Sequence, residues 1–374
     1  MAGIYIHIPF CRQACHYCDF HFSTSSKNRE EMIDAIKKEL SLRKEYLSGE
    51  LVETVYFGGG TPSLIDSELL KMLLETIQQE FNLDLMPEIT LEANPDDLSD
   101  EKLRQLFSIG INRLSIGIQS FHDNDLRFMN RAHDSFQAST VVSKARNAGF
   151  ENLSIDLIYG LPDSTDERWI MNIEKALELN VEHLSCYSLT VEPRTALADM
   201  IRKKKVAALD EERSAADLEV LIKRTRNAGY EHYEISNFAR DKKYSRHNTS
   251  YWQAKKYLGV GPSAHSYDGA SRQWNISNNI AYISSLKENV VMFEKEFLST
   301  KNKFNEFILI SLRTMWGIDY ALLEDIFGKT KRMELDKMLE PQMKAGMVEL
   351  SGNNIILTHK GKFFADRIAA DLFI

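Results

Sequence analysis

Cys11, Cys15 and Cys18 stand in a CxxxCxxC spacing near the start of the chain, and only one other cysteine, Cys186, occurs in its 374 residues. Three thiolates on one short loop can hold three irons of a [4Fe–4S] cluster and leave the fourth iron open. An open iron binds something other than protein, as a catalytic metal site keeps a position free for its ligand. The competing occupant is a structural zinc ion, with His7, His16 or His21 as the fourth ligand. Structural zinc usually draws on two separated ligand pairs, and no second CxxC or HxxxH pair follows here. The cysteines therefore favour the cluster. Cys186 reads as a small buried hydrophobe.

The elements that must position these groups alternate. Short β-rich runs recur at 4–8, 54–57, 88–93, 113–118, 153–158 and 183–188. Between them lie segments of helical periodicity closed by turn signals, such as Ser99 as an N-cap through Leu103 and Leu106 to Gly110 beyond the C-terminus. Similar helices are expected over 136–148, before Gly149, and 210–228, before Gly229. Strand, helix, strand in an unbroken series predicts βαβ units on a parallel sheet. The expected fold class is α/β, a partial (β/α)6-type TIM barrel over residues 1–240. Residues 241–300 read as a connecting segment. After residue 300, helices at 304–315, 320–327 and 332–345 precede a hairpin of 347–350 and 355–358 around Ser351-Gly352-Asn353-Asn354. Residues 301–374 are thus expected as a C-terminal winged-helix-like α+β domain.

In parallel barrels the chemistry gathers at the C-terminal ends of the strands, and the polar residues here fall there. The cysteine loop follows the first strand and Gly58-Gly59-Gly60-Thr61-Pro62 the second. Glu92 and Asn94 end the third, Gln119 ends the fourth, and Asp156 lies within the fifth. The glycines either make a turn or let bare backbone approach a ligand. Glu92 and Asp156 lie on apolar strands, where carboxylates are rarely buried unless paired; a cationic ligand group or Arg131 would serve as partner. Gln119 either caps a neighbouring backbone group or meets a ligand. Tyr5 faces either the core or the barrel mouth.

Bulk composition narrows the rest. Apolar residues at 43% and charged residues at 27% describe an ordinary globular protein. The net charge of −8 and the lack of a basic stripe argue against nucleic acid as a partner, and with it against a regulator that uses the winged-helix-like end to read DNA. Arg202-Lys203-Lys204-Lys205 is a solvated face. Few, clustered cysteines point to a reducing compartment rather than a disulfide framework. MAGIYIHIPF has neither the basic start nor the apolar core of a signal peptide, and no run approaches the ~18 apolar residues of a membrane span. The expected location is cytoplasmic, at most peripheral to a membrane.

Taken together, Tyr5-x-His7-Ile8-Pro9-Phe10-Cys11-x3-Cys15-x2-Cys18, with Tyr17 before the last cysteine, and GGGTP at 58–62 resemble the radical S-adenosylmethionine superfamily. Within it the likeness is to the branch of oxygen-independent coproporphyrinogen III oxidases and HemW-type heme chaperones. LEANP at 91–95, SIGIQSF at 115–121, Asn130-Arg131 and DLIYGLP at 156–162 extend it over essentially the whole chain. The resemblance implies that Cys11, Cys15 and Cys18 bind a [4Fe–4S] cluster whose open iron is chelated by the methionine end of S-adenosyl-L-methionine. It implies that Gly59, Gly60 and Thr61 line that end, with Glu92 suited to the ammonium and Arg131 to the carboxylate as a bidentate fork. Gln119 and Asp156 suit the ribose hydroxyls, and Tyr5 a wall of the site.

Three departures place the chain nearer the chaperones. Phe20 stands where the oxidases carry a further cysteine. Tyr5 is nearly at the start, leaving no room for the oxidases' N-terminal extension. His247-Asn248-x-x-Tyr251-Trp252 matches the HNxxYW signature of the chaperones. Neutral imidazole is a good axial ligand for heme iron, and Tyr251 and Trp252 offer broad faces to a macrocycle, so His247 is the heme candidate, with His265 in GPSAH as a second. Alternatively His247 only hydrogen-bonds within a loop packed by two aromatics. The implied function is heme binding and delivery to apo-hemoproteins, respiratory ones near the membrane, with room for a homodimer. The alternative is decarboxylation of coproporphyrinogen III to protoporphyrinogen IX, for which no basic cluster near the rim is evident.

Overall fold

Alternation decides which way each strand faces. In β1 (Ala2–Ile8), Ala2, Ile4, Ile6 and Ile8 are almost fully buried, while Gly3, Tyr5 and His7 point to the opposite face. The computed structural model describes residues 1–374 and repeats this pattern through β2 (Val52–Gly59), β3 (Leu83–Ala93), β4 (Arg113–Gln119), β5 (Asn152–Tyr159) and β6 (His183–Ser188). These six strands are parallel neighbours in chain order. Their apolar face packs under α1 (Arg29–Leu42), α2 (Ser67–Glu80), α3 (Asp100–Ser108), α5 (Ser135–Asn147) and α6 (Asp166–Glu178), with short α4 (Asp123–Phe128) at the rim. Their other face carries Thr54, Tyr56, Glu92, Arg113, Asp156 and His183, an inner surface of polar side chains.

The helix boundaries follow their caps. Ser99 accepts a hydrogen bond from the Lys102 amide and Asp210 from that of Arg213, each worth about 1 kcal/mol. Gly110, Gly149 and Gly229 take positive φ just past the helices they close. α7 (Ala196–Arg202) ends in the basic run, where Arg202 and Lys203 pair with Asp199 in solvent.

Beyond α8 (Glu211–Asn227) the chain turns back as β7 (Glu231–Glu234) and β8 (Asn237–Ala239), antiparallel on the β6 side. Residues 241–300 supply α9 (Arg246–Trp252), β9 (Lys256–Val260), β10 (His265–Tyr267), β11 (Ser271–Asn275), α10 (Asn279–Lys287) and β12 (Phe293–Phe297). β9 pairs parallel with β1, and the next three strands continue antiparallel to make a sheet of twelve. Its ends, β12 and β7, do not meet, so the barrel is open. A buried network ties this added edge to α1. Arg43 pairs with Glu39 at 3.0 Å and donates to the Gly259 carbonyl, Ser266 and Gln273, while Glu39 accepts from Gly261, Asn275 and Tyr282.

The C-terminal module has a core of its own. It comprises α11 (Thr300–Leu312), β13 (Ile318–Asp319), α12 (Tyr320–Lys344), β14 (Val348–Ser351), β15 (Asn354–Leu357) and α13 (Ala365–Asp371). Gly328, at φ 83°, breaks α12 into the two helices that the sequence pattern separates. β14 and β15 form the expected hairpin, and β13 adds a third strand. Arg313, paired with buried Glu234 at 3.1 Å, and the Met315 amide on the Tyr233 carbonyl fasten the module to β7.

Candidate functional site

The cysteine loop leaves β1 and is held by backbone. The Cys11 amide donates to Ser23, the Thr61 amide to Phe10 at 2.6 Å, and the Gly60 amide to Ile8. Two of the three glycines at the end of β2 are explained by this packing. A Cβ on Gly60 would stand 2.6 Å from the Phe10 carbonyl, and one on Gly59, at φ 104°, would stand 2.6 Å from the His7 ring. Gly58 faces inward, against Tyr5, Tyr56 and Glu92.

The three thiols are free and partly accessible. Thr61 Oγ1 donates to Cys11 Sγ at 3.6 Å, and Arg131 Nη1 donates to Cys15 Sγ at 3.3 Å. Both would stabilise sulfur anions. Burial pushes the Cys11 thiol up and Cys18 to about 11, so loading a metal releases protons. No three His, Cys, Asp or Glu side chains converge on a single-ion site. Three thiolates on one loop fit a cluster with an open iron.

Around this loop the strand ends bring most of the expected residues together. Glu92 accepts from the Tyr56 hydroxyl at 2.7 Å and the Gly59 amide at 3.2 Å. Burial outweighs these donors and lifts its carboxyl to about 7, with the charge of Asp156 adding to the rise. Asp156 accepts from Ser115 and is likewise lifted by burial, to about 6. Neither has a direct cationic partner. Arg131, the internal candidate, is committed elsewhere: besides Cys15 it donates to Asn94 and to the Gly117 carbonyl at 2.8 Å, leaving its buried Nε without a partner. Gln119 sits at the end of β4 with φ 66°, a left-handed conformation unusual for its type. Tyr5 donates to His7 Nδ1 at 3.2 Å and borders the inner face and the mouth of a cleft.

That cleft, about 1190 Å³, opens between the β9–β10 edge, α9 and the C-terminal module. It exceeds the usual ~300–1,000 Å³ of ligand pockets. Asp19, Phe20 and His21 of the cysteine loop form one side, Tyr251, Trp252 and Tyr257 a second, and Phe307, Trp316 and Phe327 a third. Lys303 and Arg272 add cations. The heme candidate His247 is not in this wall. It is 1% exposed beneath the cleft, its Nδ1 hydrogen-bonded to Thr54 Oγ1 at 2.8 Å and its Nε2 to the Tyr251 hydroxyl at 2.7 Å. Burial holds it neutral, lowered to about 3. Both nitrogens are engaged by hydroxyls and the ring is buried, the arrangement that the loop-packing alternative expects.

Set against known proteins, residues 5–176 match the profile of the Radical SAM superfamily and residues 298–364 that of the HemN C-terminal domain. The chain is 34% identical over 371 residues to the heme chaperone HemW of Bacillus subtilis, covering 98% of each chain. The chain belongs to the HemW family. Its likeness to the HemW of Lactococcus lactis is 36% over 325 residues, 86% of this chain and 84% of that one. Among solved structures it superposes on the coproporphyrinogen III oxidase HemN of Escherichia coli with a TM-score of 0.86 and 25% identity, over all of this chain and 90% of that one. The Radical SAM match implies a [4Fe–4S] cluster and S-adenosylmethionine.

Some residues at the site escaped the sequence reading. Tyr56 and Arg113 share the inner face with Glu92, and the alternation of β2 and β4 was the available signal. Arg113 is 1% exposed, with Nε and Nη1 unpartnered. The cleft had no local signal, because its walls come from segments as distant in the chain as Tyr5 and Asn354.

Proposed function

We propose that the chain is a radical S-adenosylmethionine-type heme chaperone that holds heme in the large cleft and passes it to apo-hemoproteins. The observation that carries this reading is continuity: the loop bearing Cys11, Cys15 and Cys18 runs directly into Asp19, Phe20 and His21, which wall the cleft. Aromatic faces on the remaining walls suit a flat macrocycle. Lys303, which has no acidic partner, suits a propionate, and Arg272, paired with Glu306 at 3.0 Å, also lies in the wall.

In this reading Cys11, Cys15 and Cys18 hold the cluster, with Arg131 and Thr61 stabilising the sulfurs. Glu92 takes the cofactor's ammonium, and Gly58, Gly59, Gly60, Gln119, Asp156 and Tyr5 shape the rest of its site. When bound, the cluster and cofactor supply one-electron reductive cleavage of a sulfonium. The chain's own part is to exclude water, hold Glu92 and Asp156 ready for cationic and hydroxyl groups, and keep the cysteine loop rigid through the Gly60 packing. The clients fit best as respiratory hemoproteins met on the cytoplasmic side of a membrane. No helix here is long and apolar enough to cross one.

The likeness to HemN supports a second reading, coproporphyrinogen III oxidation. One anaerobic experiment separates them. The cluster-reconstituted protein is titrated with heme and, in parallel, given coproporphyrinogen III, S-adenosylmethionine and reductant. Stoichiometric heme uptake and transfer to an apo-hemoprotein, without carbon dioxide release, is the expected outcome. Rapid decarboxylation without heme uptake would replace the chaperone by the oxidase.

A further inference from the structure

Three imidazoles face the cleft, and they differ in what their nitrogens already do. His7 is 5% exposed; its Nε2 donates to the His21 carbonyl at 2.9 Å and its Nδ1 accepts from Tyr5. His21 bonds Asn279 Oδ1 through Nε2, the tip of its ring, at 2.7 Å. That leaves Nδ1, crowded by the residue's own backbone against a flat ligand. His265, on β10, is exposed in the cleft wall, and neither of its ring nitrogens has a partner. Its ring stacks on Trp274 with centroids 6.1 Å apart and planes 29° from parallel, so it is oriented without a hydrogen bond.

We propose that His265 is the imidazole that ligates the iron of a heme lying in the cleft, and that His247 is a positioning residue beneath it, holding Tyr251 in the cleft wall. The assignment rests on the heme-chaperone reading and deepens it. Coordination donates the lone pair of a neutral imidazole, with no change in oxidation state. Burial and the nearby Arg272 guanidinium push His265 down from its ordinary value, which keeps that lone pair available at neutral pH. The HNxxYW segment acts one step removed. His247 stacks on Tyr56 at 5.0 Å and bonds the Tyr251 hydroxyl, fixing an aromatic wall.

The test uses full-length, cluster-reconstituted protein titrated anaerobically with ferric heme and read by heme-minus-buffer difference absorption and electron paramagnetic resonance. His265→Ala is expected to lose the imidazole-ligated signature and bind heme about tenfold more weakly or worse, with free imidazole restoring the signature. His265→Tyr is expected to replace it with a phenolate-ligated one. His247→Gln is expected to keep the imidazole signature with weaker binding, and Tyr251→Phe to do the same. Wild-type heme uptake whose signature survives His265→Ala but is lost in His247→Gln or His21→Ala would overturn this assignment alone. Failure of the wild type to bind heme at all would overturn the chaperone reading together with it.

Discussion

Glu92→Gln is expected to make the protein more stable and less able to hold its cofactor. Glu92 is lifted from 4.5 to about 7, chiefly by burial. The folded carboxyl therefore binds its proton more tightly than the unfolded chain does. Stability is undiminished below the unfolded value and falls as pH rises through the window between the two. At about 1.4 kcal/mol per pH unit, the raised carboxyl costs about 3 kcal/mol at pH 8, where it is ionised, and about 1.4 kcal/mol at pH 5.5, where the folded chain must hold its proton. A neutral amide avoids this cost. Gln keeps one acceptor oxygen for two donors, Tyr56 and the Gly59 amide, so about 1 kcal/mol returns as a lost hydrogen bond.

The net expectation at pH 8 is about 2 kcal/mol of stabilisation, a rise of roughly 2.5 °C in Tm for a chain of this size. The advantage should nearly vanish at pH 5.5. Cluster-loaded protein without cofactor, melted anaerobically at both pH values, measures it. Binding of S-adenosylmethionine should move oppositely. Losing a charge-assisted bond of about 1.5–3 kcal/mol weakens it roughly 10- to 150-fold, and the wild type should bind more tightly as pH rises towards 8. A Glu92→Gln protein with unchanged Tm at pH 8, or with wild-type affinity for the cofactor, would refute the idea that Glu92 is a carboxylate kept short of its cation.

Cys18→Ala should lose cluster iron on reconstitution while its circular dichroism stays that of the wild type, since none of the three thiols belongs to the apolar core. Gly60→Ala places a methyl 2.6 Å from the Phe10 carbonyl and 2.8 Å from that of Ile8; a loss of about 2–3 kcal/mol and faster iron release to a chelator are expected. Gly352→Ala, at φ 62° in open space on the hairpin tip, should cost only about 1 kcal/mol and leave iron release unchanged. Glu39→Ala strands the Arg43 guanidinium among Gly259, Ser266 and Gln273, and denaturant unfolding should register about 3–5 kcal/mol lost.

The six parallel strands were legible because each is a short apolar run followed by a polar end, and the helix stops because Gly110, Gly149 and Gly229 mark them. The cysteine loop and the GGGTP stretch were legible for a related reason: thiols and glycines are rarely placed so densely without a geometric demand. The sheet strands of residues 256–297 were harder. β12 reads Phe-Glu-Lys-Glu-Phe and is exposed along its length, so no buried face writes a pattern into it. The role of His247 was not legible because an imidazole flanked by aromatics looks alike from sequence whether it meets a ligand or fills a core. Only the partners of its two nitrogens tell the cases apart.

The inner face of the sheet carries the remaining argument. A parallel sheet normally buries apolar side chains on both faces. This one places Glu92, Asp156, His183 and Arg113 on the face away from the helices. Two of these are carboxylates without a direct cation, and Arg113 has buried nitrogens without a partner. Such groups are costly to retain unless something completes them. Local rules broken by carboxylates and a guanidinium on one sheet face are a mark of a site rather than of poor folding. Glu92 accepts from the Gly59 amide in the turn packed against the cysteine loop, where a cationic nucleotide would satisfy it. The cleft beyond is walled by Tyr251, Trp252, Phe307 and Trp316. Its needs are shape and one open imidazole. Changes to the inner face should therefore alter cofactor binding in chaperone and oxidase alike, while what distinguishes the two must be written in the walls of the cleft.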